Sequence, residues 1–183
     1  MSTNEPRNTL VIVGQRLFEV SAIERPNPSI ALRVTMNGSE RWTYDGFGWR
    51  WSCGVSGELF YLWTARRLVW FAESCIEPSE LSLDEDLSFA FRVGSGWLLV
   101  CETSVRLVDG QRQLARIECD VIEAAQWEEG HLIVADQLGM VLTIAVEGEA
   151  LVVTEAVIPQ LRHGVPVSWS TVHGSMADSD TTH

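Results

Sequence analysis

The residues able to do chemistry in this 183-residue chain are few, and their spacing assembles no familiar reaction centre. Histidine occurs at His131, His163, His173 and His183. His131 opens an apolar run, His163 lies in Leu161-Arg162-His163-Gly164, and the other two border the C-terminal tail. A metal centre needs at least three ligands converging in space, and no turn or helical spacing brings these together. The triplet Asp84-Glu85-Asp86 has the groups for calcium or for paired acid–base work. It lacks the alternating acidic pattern of a calcium loop and reads as a solvated connection. Cys53, Cys75, Cys101 and Cys119 form no C-x-x-C, which excludes a zinc ribbon or a thioredoxin-type motif. Three of them fall in apolar runs, where cysteine behaves as a small buried hydrophobe. No G-x-G-x-x-G, G-x-S-x-G or H-E-x-x-H occurs. All 13 basic residues are arginine, so Schiff-base, general-base and P-loop lysines are excluded. No cofactor, metal or catalytic residue is expected.

Charge narrows the partners. A net charge of −12 repels a nucleic-acid backbone or an anionic membrane at long range. The only adjacent basic pair, Arg66-Arg67, is too small to reverse that. No apolar stretch approaches the roughly 18 residues of a membrane span. Met1 to Arg7 lacks the basic and apolar regions of a secretion signal, so the expected location is cytoplasmic and no disulfide framework is expected. With 46% hydrophobic and 21% charged residues, the composition is that of a folded globular chain.

The elements that position these residues are short strands in a repeat. Apolar runs recur behind glycine-bearing turns at Leu17–Val20, Leu59–Trp63, Leu98–Cys101 and Leu132–Ala135. The best internal match sets Gly96-Trp97-Leu98-Leu99-Val100 against Gly130-His131-Leu132-Ile133-Val134. A second marker keeps the same period: Asn37-Gly38, Asp109-Gly110 and Glu147-Gly148 each separate two β-prone runs. The missing member falls in the degenerate stretch Phe71–Cys75.

Each unit divides into strands A to D. The A strands are Leu10–Val13, Trp49–Cys53, Phe89–Val93 and Ala124–Trp127, and the B strands are the four apolar runs. The C strands are Ile30–Met36, Arg67–Ala72, Val105–Val108 and Val141–Val146. The D strands are Glu40–Asp45, Ile76–Leu81, Gln113–Glu118 and Ala150–Glu155. A fifth A-like segment spans Val167–Val172, and the one candidate helix is a short stretch at Pro78–Asp86, which Ser82, Asp84 and Asp86 make equally a loop. The expectation is a single all-β domain over 9–172 followed by a disordered tail, 173–183.

Four-stranded units of this length, with glycine turns and an aromatic-rich strand, resemble the blades of β-propellers. The resemblance is to propeller-like repeats in general: the Gly-His and Trp-Asp pairs of WD40 repeats and the Gly-Gly pairs of kelch repeats do not recur. It implies about four four-stranded antiparallel blades, a small or partial propeller; evenly spaced hairpins in a β-sandwich or barrel are the alternative. Four units and an extra strand imply closure as a small ring, pairing with a second copy, or completion by a partner. The resemblance further implies a non-enzymatic protein-interaction module, with B–C and D–A loops on one binding face. That face would carry Arg66, Arg67 and Asp136 from the B–C loops. The D–A loops would add Asp45, Asp84, Glu85, Asp86, Arg162 and His163. The alternative function is a small-molecule or carbohydrate binder using the eight tryptophans as stacking platforms. A hydrolase, the third reading, has no positive feature in its favour.

Overall fold

The computed structural model describes residues 7–25, 29–48, 50–72 and 77–157. Trp49, Cys75, the Val167–Val172 segment, Arg162, His163 and the expected tail lie outside them. The described chain is four antiparallel sheets, each of four strands in sequence order. The first holds β1 (Arg7–Val13), β2 (Arg16–Arg25), β3 (Ser29–Met36) and β4 (Ser39–Phe47). The second holds β5 (Trp51–Ser56), β6 (Leu59–Thr64), β7 (Arg67–Phe71) and β8 (Ser79–Ser82). The third is β9 (Leu87–Val93), β10 (Gly96–Cys101), β11 (Ser104–Asp109) and β12 (Arg112–Glu118). The fourth is β13 (Ile122–Glu128), β14 (His131–Asp136), β15 (Val141–Glu147) and β16 (Ala150–Val157). These are the four blade-like units expected, with strands A to D close to their anticipated places.

The turns explain the regularity. Two-residue hairpins join A to B in every blade and C to D in the first, third and fourth, and they demand positive φ, which glycine supplies without a steric penalty. Gly94 between β9 and β10 has φ +55°, and Gly110 between β11 and β12 has φ +59°. No helix forms at Pro78–Asp86. Ser79–Ser82 instead pairs with β7, Leu68 opposite Leu81, which buries Leu81 between the second and third sheets.

Three cores join the sheets in series, each between the front of one blade and the back of the next. Phe18, Val20, Ile30, Leu32 and Val34 meet Phe60, Leu62, Val69 and Phe71. Tyr61 and Leu68 meet Ala90, Trp97, Leu99 and Cys101. Leu98, Val100 and Val105 meet Leu132, Val134, Leu142 and Ile144. Strands buried on both faces, such as β10, therefore need apolar side chains at consecutive positions rather than alternate ones.

The repeat alignment read from the sequence is one residue out in the fourth blade. The A–B turn closes with Gly96 opposite Val93 in the third blade and with His131 opposite Glu128 in the fourth. Hence Trp97 corresponds to Leu132 and Leu98 to Ile133. A one-residue slip exchanges the two faces of a strand. Leu98 and Leu132 are both fully buried, but from opposite sides of the same core.

Candidate functional site

Because each sheet runs up and down in order, the A–B and C–D turns gather on one face and the B–C and D–A loops on the other. The latter is the face that the sequence marks for binding. Its loops are tied into a row by backbone hydrogen bonds that repeat from blade to blade. At the second junction Leu87 N donates to Ala65 O (2.5 Å), Leu83 N to Arg66 O (2.9 Å) and Glu102 N to Asp86 O (2.8 Å). At the third, Ile122 N donates to Glu102 O (2.8 Å), Cys119 N to Thr103 O (2.9 Å) and Gln137 N to Val121 O (2.8 Å). Glu102 thus donates back to one blade and accepts from the next. Loops satisfied in this way form a rigid strip.

On this strip the structure brings together some of the expected residues and separates others. Arg66 is exposed and its Nε donates to Asp86 Oδ1 at 2.8 Å. Asp84 accepts from Arg106 Nη1 at 2.6 Å, while Glu85 accepts from Arg106 Nη2 at 2.5 Å and from Arg116 Nη2 at 2.6 Å. Asp45 pairs with Arg25 at 2.8 Å on the first blade. Arg67 lies at the start of β7, where it pairs with Glu80 on β8 of its own blade and lies 5.5 Å from the Tyr44 ring of the preceding blade. Asp136 is buried, and its Oδ1 accepts from Leu138 N and Met140 N, both at 2.9 Å. Its carboxylate shapes the B–C loop from within.

Arg106 was not legible as a site residue. It stands on the back of β11 opposite Leu99, where the second and fourth blades carry Val69 opposite Leu62 and Leu142 opposite Val134. Its side chain is almost wholly buried. Burial opposes charge on Glu85, but hydrogen bonds from Arg106 and Ser104 outweigh it and hold the carboxyl below its ordinary range. Asp84 is lowered chiefly by its hydrogen bond from Arg106. The second missed residue is Leu138, 70% exposed at the tip of Gln137-Leu138-Gly139. A lone leucine flanked by a capping aspartate and a glycine with φ +81° was its only signal.

The described tryptophans pack within the junctions. Trp42 and Trp51 border the first core, Trp63, Trp70 and buried Trp97 belong to the second, and Trp127 packs on the third. The described cysteines are equally committed: burial pushes Cys101 up to about 12 and Cys53 and Cys119 to about 11, so none is a thiolate at neutral pH. Among the described residues no three His, Cys, Asp or Glu side chains gather as a metal site, and no helix is long and apolar enough to cross a membrane.

Four up-and-down sheets stacked face to face in series define a propeller-like fold. No family model and no curated protein sequence matches the chain. Solved structures do. The AfRom2 CNH domain aligns with a TM-score of 0.51 at 12% identity, over 83% of this chain and 54% of that one. The computationally designed Ika4 protein aligns with a TM-score of 0.52 at 10% identity, over 78% of this chain and 93% of that one. The chain therefore spans about half the length of the first and nearly all of the second.

Proposed function

We propose that this chain is a non-enzymatic protein-interaction module, or complex subunit, that docks a cytoplasmic protein through its B–C and D–A loop face. The observation that carries this reading is the latched row of loops with Leu138 standing out of it. A rigid strip loses little entropy on binding, and an exposed apolar anchor within a polar, charged rim is the anatomy of a protein interface. Arg66, Asp84 and Asp86 supply mixed charge along the rim, which steers a complementary partner. In this reading Asp136 contributes by holding Leu138 in place.

Leu138→Asp and Arg66→Glu test it. Both side chains are more than half exposed, so each variant should keep its stability within about 1 kcal/mol of the parent. Affinity purification of the parent from its source organism, with quantitative mass spectrometry, identifies stoichiometric partners. Leu138→Asp should lose them and Arg66→Glu should weaken them. Unchanged recovery with both variants would remove the loop face as the docking surface.

A further inference from the structure

The two ends of the row are unlike each other, and each is what the other lacks. The second residue of strand B faces backward in every blade: Leu17, Phe60, Trp97 and Leu132, opposite Ile12, Val55, Arg92 and Trp127 on strand A. In blades two to four this B-strand residue is sealed against the preceding blade, 0 to 1% exposed. In the first blade nothing described precedes it: Leu17 is 42% exposed, with Ile12 at 74% and Leu10 at 66% beside it. The third residue of strand B faces forward: Phe18, Tyr61, Leu98 and Ile133. The first three are buried by the following blade, while Ile133 is only half-buried. With it on the front of the fourth blade lie Ala135, Val141, Thr143 and Ala145, all half-buried.

We infer that a second copy of this chain covers both ends at once, front of blade four on back of blade one, so that two copies close an eight-bladed ring. The same front-to-back pairing makes all three internal junctions, so the contact needs no new geometry. The shapes match in kind, with long Leu10, Ile12 and Leu17 opposing a floor of alanine and β-branched residues. Charge matches as well. Arg33 occupies on β3 the place of Arg67 on β7, one opposite Ser21 and the other Thr64. Arg67 reaches across its junction to Tyr44, on the last strand of the preceding blade. In the pair of copies the corresponding last strand is β16, whose exposed Glu155 faces forward opposite Thr143. Among the described residues neither Arg33 nor Glu155 has an ion-pair partner within the chain. Eight blades lie within the usual range for propellers. A heterologous contact of this type must either close or polymerise, and a two-copy ring closes it with no edge left over.

The test is sedimentation velocity and light scattering on the full chain from 1 to about 100 µM, with Leu17→Glu and Val141→Glu as variants checked by circular dichroism and melting. The parent should run as a dimer, twice 20.4 kDa. Each variant alone spoils both junctions of a ring and should run as a folded monomer. Mixed in equal amounts, the two variants share one unspoiled junction, and dimer should return at higher concentration. A monomeric parent overturns the proposal, and so does an open polymer. A Leu17→Glu variant that stays dimeric overturns it too, because pairing would then be front to front. These faces are separate from the loop strip, so dimer formation and partner recovery fail independently.

Discussion

Arg106 shows how one side chain can link a core to a surface. Its equivalents are Val69 and Leu142, so the third blade spends a hydrophobic position on a guanidinium that reaches Asp84 and Glu85 in the preceding D–A loop. Removing one member of a buried pair costs about 3–5 kcal/mol where the other charge is left uncompensated; Glu85 would keep Arg116, which places the loss at the low end of that range. Arg106→Leu should therefore destabilise by about 3 kcal/mol in urea denaturation, and adding Glu85→Gln should recover most of it. A negligible loss in the single variant would show that Arg116 alone suffices to balance Glu85. The pH dependence follows from the same geometry. The folded carboxyls are held below their ordinary values of 3.8 and 4.5, so the unfolded chain takes up protons first as pH falls. Their contribution is complete above those values and disappears as pH drops through the lowered ones. Parent stability should fall below about pH 4.5 more steeply than that of the Arg106→Leu, Glu85→Gln variant.

At the level of elements, Leu98 and Leu132 enter one core from opposing sheets, and each truncation to alanine should cost about 2–5 kcal/mol. Because they share that core, the double variant should depart from the sum of the singles, measurable by a denaturation cycle. Strict additivity would place them in separate environments. Strand positions were readable in the sequence because glycine turns and apolar runs are local signals. The facing of those strands was not. β10 is buried on both sides, so its leucines carry no alternation, and the leucine-to-leucine match slid His131 onto Trp97 when turn closure sets it on Gly96. The candidate site was half legible for a similar reason. Charged loop residues advertise themselves, but their pairing across blades does not. Arg66 with Asp86 is a contact 20 residues apart, and Arg67 and Asp136 turn inward for reasons only the packed structure supplies.

For the whole molecule, cooperativity runs along the row because each blade touches only its neighbours. In the monomeric Leu17→Glu variant, amide hydrogen exchange should be slowest in β10 and β11, flanked by cores on both faces, and fastest in β1 and β16. Uniform protection from β1 to β16 would mean that unfolding is all-or-none over the four blades. The two faces of the row also differ in what they tolerate. On the hairpin face Gly14, Gly57, Gly94, Gly110 and Gly148 stand with open space where a side chain would be. Exposed tight turns of that sort accept inserted sequence. A fluorophore, affinity peptide or sensor-chip linker grafted beside Gly57 or Gly110 would orient every molecule alike, with the opposite side presented to whatever flows past it.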